Sequence, residues 1–379
     1  MHVSTFLVAA WLSMVVSCAH AAGLAKIVVP ADEHGPELQA FVWAPCDIKA
    51  SPISLGPISV LGVKGCPVVG DRLPLIIISH GHGGSALGHH DTAETLADAG
   101  FVVAAINHPG DNYADPSRAG DISVMVERPT DIKRLIDFML SQSAYAEKID
   151  AQKIGFFGFS RGGYTGLVLA GAKPDFHDPS VPCPEPAPIC GEIRRNELPM
   201  QPLSLDNRIK AFVLADPLSF FATKQSLIVV QQPIQLWASQ HGGDGALPQN
   251  VGALAENLPK RPEYHSVAGG CPLCVSGTVL TCSGVERTGY LRGRRRLRPF
   301  GISPCLQRPD QSFLQPRPAR LATYHGVLTS RLGLYSSGDI LGWGAPNWRS
   351  AYGQRVQFHN ALTGHEPIAG LSIDSIARA

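Results

Sequence analysis

A chain of 379 residues with 44% hydrophobic side chains can bury one large core, and a formal net charge of +1 gives no ground for a nucleic-acid or acidic partner. The longest apolar run, within "MHVSTFLVAAWLSMVVSCAHAAG", is too short to span a bilayer comfortably, so no stable membrane span is expected.

That first stretch ends in the small-x-small sequence Ala19, His20, Ala21, which predicts a signal peptide over residues 1–21 and an exported, periplasmic or secreted product. Val15-Val16-Ser17-Cys18 loosely fits a lipoprotein site at Cys18. Export permits disulfides, so cysteines are read first as structural. Cys46 and Cys66 bracket a Pro/Gly-rich loop, Cys183 and Cys190 bracket "PEPAPI", and each pair is a disulfide candidate. The "CPLC" of Cys271 and Cys274 has no second ligand pair at zinc-site spacing, so no metal is assigned there.

From about residue 73, short apolar runs alternate with helical ones. "LPLIIISHG" reads as a buried strand, "DTAETLADAG" as a helix stopped by Gly100, and "FVVAAIN" as a strand entering the turn "HPGDN". In "ERPTDIKRLIDFML", Ile132, Leu135, Ile136, Met139 and Leu140 form one helical stripe. The strand "KIGFFGF", a helix after Ser160, the strands "IKAFVLAD" and "PIQLWAS", the helix "NVGALAENL" and the strand "EYHSVAG" follow. This order predicts a doubly wound α/β domain. Residues 174–207, proline-rich and without clear periodicity, predict a lid or pocket wall stapled by its own cysteines.

Gly158-Phe159-Ser160-Arg161-Gly162, between a buried strand and a small-residue helix, matches the G-x-S-x-G nucleophile elbow. Its tight bend would present the Ser160 hydroxyl to a base and a carbonyl. "HGHGG", His80 to Gly84, ends an earlier strand, and the backbone amides of His82 and Arg161 are the candidate oxyanion donors. Metal binding by His80, His82, His89 and His90 is disfavoured because no nearby carboxylates complete an open site. The base of a serine hydrolase needs an acid to hold its tautomer. Asp244, in "GGDGALP", is the preferred candidate, and Asp216, in "VLADP", is the alternative.

The succession "LPLIIISHGHGG", "AGFVVAAINHPGDN", "ERPTDIKRLIDFML", "KIGFFGFSRGGYTGLVLAGA", "RIKAFVLADP" and "QLWASQHGGDGALP" resembles the bacterial dienelactone-hydrolase-like α/β hydrolases, a branch similar to platelet-activating-factor acetylhydrolases. The resemblance covers residues 25–269 and implies an α/β-hydrolase domain, no cofactor, and a small-molecule ester or lipid substrate. In the acetylhydrolases the acid lies on the strand matching Asp216. Dienelactone hydrolases proper use a cysteine nucleophile; the serine at position 160 implies ester cleavage more generally.

In the family, the strand matching "YHSVAG" is followed by a segment similar to His-Phe-Ala-Phe-Leu-Ala-Pro-Cys-Ser-Pro, whose histidine is the catalytic base. This chain has Pro272 through Thr281 there, "PLCVSGTVLT". Read one base later, degenerate codons for those residues can spell the whole family segment. The same offset over Ile302 to Asp310 permits a sequence like the family's closing helix. No lysine follows Lys260, while arginine and proline crowd the remainder. Residues 270–379 are therefore expected to be a frameshifted, poorly ordered tail, with a lineage-specific extension as the competing explanation. His265, His325, His359 and His365 are poor substitutes for the base. The functional expectation is a serine carboxylic ester hydrolase impaired by loss of its histidine segment; the alternative is a non-catalytic binding protein of the same fold.

Overall fold

A computed structural model describes residues 21–267, except 57, 180, 182, 184–186 and 244. The signal segment, Cys18 and the tail from Gly270 lie outside the described residues.

Among the described residues ten strands form one sheet in the order β10-β9-β8-β7-β5-β6-β2-β1-β4-β3. The first four are β1 (Ala21–Val29), β2 (Leu38–Cys46), β3 (Ser51–Leu55) and β4 (Ile58–Lys64). They are followed by β5 (Leu73–Ser79), α1 (His90–Asp98), β6 (Val102–Asn107) and α2 (Val124–Ser141). A single 3-10 turn, Ala146–Lys148, leads into β7 (Ile149–Phe159), and α3 (Arg161–Leu169) follows at once. The remainder is α4 (Pro188–Arg194), β8 (Ile209–Ala215), α5 (Lys224–Leu227), β9 (Ile234–Ser239), α6 (Pro248–Asn257) and β10 (Glu263–Val267).

From β6 through β10 neighbouring strands run parallel, whereas β1–β2, β2–β6 and β3–β4 are antiparallel. The central strands are near-continuous apolar runs because both of their faces are buried. On one face Leu75 and Ile77 share a core with Ile132, Leu135 and Ile136 of α2 and Leu167 of α3. On the other, Ile76 and Ile78 share one with Ala93, Leu96 and Ala97 of α1. The doubly wound expectation holds: the chain leaves β5 for β6 on one side and then crosses to β7 on the other. Loops after β5, β6 and β7 therefore gather at one switch point, where α/β folds bind ligands.

Three details extend the sequence reading. Among the described residues four strands, the first from Ala21, lie ahead of β5. Helix α2 begins at Val124, before "ERPTD", and carries Pro129 inside it. The proline-rich insertion contains a short helix, α4, whose Ile189, Cys190 and Ile193 join the core.

Both expected disulfides form, Cys46–Cys66 and Cys183–Cys190. The first crosses above β1, which lies between β2 and β4. At Gly23 a side-chain carbon would sit 3.2 Å from Cys66 Cβ and 3.6 Å from Cys46 Cβ, so glycine leaves room for the bridge.

Candidate active site

Ser160 follows β7 directly with φ 54° and ψ −112°, a backbone state that non-glycine residues rarely adopt. Its surroundings hold it there. The Ser160 N–H donates to the Ala215 carbonyl (2.9 Å), and its own carbonyl accepts from the N–H groups of Leu218 (3.0 Å) and Tyr164 (3.1 Å). Gly162 packs so closely on β5 that any Cβ would collide with the Ser79 carbonyl oxygen, and one at Gly158 would collide with the backbone of Gly162. Backbone strain that the surrounding structure over-determines is found preferentially at functional sites.

Asp216 stands in the turn between Ala215 and Leu218, the two residues of this segment bonded to Ser160, and also has positive φ, 43°. It is 1% exposed. Its Oδ1 accepts from the Ser239 N–H (2.7 Å) and hydroxyl (3.0 Å), while its Oδ2 is buried with no hydrogen-bond partner among the described residues. Burial pushes its pKa up to about 6, against the opposing effect of the two Ser239 hydrogen bonds. Asp244 lies outside the described residues. After β9, Gly243 and Ala246 exchange two backbone hydrogen bonds, Gly243 N–H to Ala246 O (3.0 Å) and Ala246 N–H to Gly243 O (2.8 Å).

The "HGHGG" loop passes directly by Ser160: a Cβ at Gly81 would lie 3.3 Å from Ser160 Cβ. His82, next in the chain, is exposed. The four histidines grouped in the sequence part ways. His80 is buried; its Nε2 accepts the His108 N–H (3.3 Å), which leaves Nδ1 to donate to the Gly81 carbonyl (2.6 Å). Burial first, then the Arg128 charge, holds its pKa down near 3, so it is neutral. His89 is buried edge-on to Phe157 and Phe159, and His90 pairs with Glu94 (2.9 Å). His265, inside β10, stacks on Trp237 and bonds Glu263 (2.9 Å). His325, His359 and His365 lie outside the described residues.

A polar cluster beneath the loop was not read from the sequence. Asp111, fully buried, pairs with Arg128 Nε (3.1 Å) and Arg161 Nη1 (2.9 Å). Arg128 also donates to the carbonyl oxygens of His80 (2.8 Å) and Gly81 (3.3 Å). Beside it His108 joins Asp131 Oδ2 (3.0 Å) to the Ser79 hydroxyl (2.9 Å). This Ser-His-Asp chain is buried throughout, out of reach of substrate. The available signal was two charges, Arg128 and Asp131, interrupting the apolar stripe of a helix that otherwise faces the core.

The insertion lies alongside. Its Glu192 accepts the Ile122 N–H (2.6 Å), and Phe176 packs on Phe220 and Tyr164. None of the described helices is long and apolar enough to cross a membrane.

Residues 62–215 match the dienelactone hydrolase family. The mixed α/β sheet around that segment agrees with the match. The matched segment includes Ser160, Arg161 and the "HGHGG" loop and stops one residue before Asp216. Among solved structures, a ferulic acid esterase from Streptomyces cinnamoneus is similar at 18% identity over 67% of this chain and 74% of its own, with a TM-score of 0.46. A dienelactone hydrolase from Anabaena variabilis is similar at 16% identity over 65% of this chain and 86% of its own, with a TM-score of 0.40. No curated protein matches the chain.

Proposed function

We propose that this dienelactone-hydrolase-like chain is an exported serine esterase scaffold in which Ser160 forms an acyl-enzyme. The observation that carries the reading is the strained Ser160 turn, bonded through Ala215 and Leu218 to the segment of a buried carboxylate with one unpartnered oxygen. An imidazole N–H reaching Asp216 Oδ2 would satisfy that oxygen and fix its ring for proton transfer from Ser160. Asp216 therefore takes precedence here over Asp244 as the acid. The backbone N–H groups of His82 and Arg161 would stabilise the oxyanion. The histidine is expected on the loop after β10, where the reading register of this chain has lost it.

The two disulfides agree with an extracellular setting. The insertion bearing α4 serves as a pocket wall for the ester.

The test is turnover of p-nitrophenyl acetate. The chain as written is expected to show only residual hydrolysis, while the chain recoded into the neighbouring register after Gly270 gains about 10³-fold or more, abolished by Ser160→Ala. Full Ser160-dependent turnover by the chain as written would contradict the missing-base argument. No gain on recoding would favour a non-catalytic binding protein.

A further inference from the structure

An oxyanion hole assembled from two separate segments works only if the segments keep their spacing. Here one donor, the His82 N–H, sits on the loop after β5, and the other, the Arg161 N–H, starts α3. No hydrogen bond between those two backbones links the donors among the described residues; a side chain does it. Asp111, on the turn after β6, accepts the Gly83 N–H, one residue beyond His82, on Oδ1 (3.4 Å). Its Oδ2 takes the Arg161 guanidinium (2.9 Å). The same Oδ2 takes Arg128, which in turn grips the carbonyl oxygens of His80 and Gly81.

We propose that Asp111, braced by Arg128, is the positioning residue of the oxyanion hole, tying the loop of His82 to the helix start of Arg161. This rests on the acyl-transfer reading of Ser160. Two features mark the cluster as a device for geometry and not a generic ion pair. Asp111 and Arg128 are 0% and 1% exposed, so the pair bears a desolvation cost that apolar residues would avoid. And the hydrogen bonds that Asp111 and Arg128 make with the "HGHGG" loop, among the described residues, go to its backbone or to the ring of His80. In a trans peptide the His82 N–H points opposite to the Gly81 carbonyl, so holding that carbonyl on Arg128 turns the N–H away from the guanidinium. Burial opposes the charge on Asp111, but the two guanidiniums prevail and keep its pKa below the ordinary value, so the brace stays ionised at neutral pH.

The experiment removes the need for a histidine. In the full chain carrying Ser160→Cys, a thiolate formed at about pH 9 attacks p-nitrophenyl acetate unaided, forming a thioester and expelling p-nitrophenolate through an oxyanion. Iodoacetamide alkylates the same thiolate with loss of iodide and no oxyanion. Mass spectrometry of the tryptic peptide carrying position 160 gives both rates, free of the other cysteines, and their ratio cancels changes in thiolate fraction or access. Asp111→Asn is expected to lower the acylation-to-alkylation ratio by about tenfold or more, since losing one donor outright costs about 10² to 10³. Arg161→Met, which leaves Asp111 paired one-to-one with Arg128, lowers it likewise and decides the matter if Asp111→Asn fails to fold. A ratio within about twofold of the parent in the folded variants overturns the brace. A parent Ser160→Cys thiol no more prone to acylation, relative to alkylation, than N-acetylcysteine overturns the acyl-transfer reading itself.

Discussion

Asp216 shows how one residue can weaken a fold at the place where chemistry is proposed. Its pKa is pushed up to about 6 from an ordinary 3.8, so the folded state holds its proton more tightly than the unfolded chain. Stability from this group is complete below the unfolded pKa and is lost as pH rises through about 6. Asp216→Asn, which keeps an acceptor for Ser239, is therefore expected to stabilise the protein by about 1 to 2 kcal/mol at about pH 8. That gain should vanish by about pH 4. Urea denaturation at the two pH values checks it, and an equal shift at both would remove the ionisation argument. Ser160 and Asp216 were legible as residues in their turns. The unpartnered Asp216 Oδ2 was not, because it depends on how the turn after β8 meets Ser239 at the end of β9.

At the scale of elements, the Ser160 turn is an interlock between β7, α3 and the end of β5. Gly162→Ala would drive a methyl group into the Ser79 carbonyl, and backbone cannot swing aside as a side chain would. A loss of at least about 3 kcal/mol in urea unfolding is expected, with tolerance of alanine contradicting the interlock. The G-x-S-x-G pattern made this element readable because its glycines have a steric cause. The central strands were readable because burial on both faces writes them as unbroken apolar runs. Helix α4 was not, since its seven residues are too few for a helical period to stand out from prolines. The start of α2 was displaced because "ERP" looks like a beginning, Pro being favoured in a first turn, while Met125 and Val126 are in fact buried within the helix. The Asp111 brace escaped for a different reason: its members come from three elements, and no local spacing announces a contact between residues 50 apart.

Among the described residues, ten strands place the "HGHGG" loop, Asp111, Ser160 and Asp216 on one rim of the sheet, at the ends of β5, β6, β7 and β8. The opposite flank of the sheet, built from β1 to β4, carries the Cys46–Cys66 bridge. Replacing Cys46 and Cys66 by serine should cost about 3 kcal/mol on a chain-entropy estimate for a loop of this length, measured as a lower urea midpoint. An unchanged midpoint would assign the bridge no such part. The order of strands along that flank was hidden in the sequence because β1 pairs with β4 as well as with β2, leaving β3 at the outer edge although it comes earlier in the chain than β4.

The bridge above Gly23 also has a mechanical meaning. Strand β1 lies along its two partners with a thiol-derived strap over its leading end, so tension entering from the amino end would pull it in line with the sheet and load many backbone bonds together. A polypeptide tethered by that end would transmit the load into its strongest axis instead of unzipping one rung at a time.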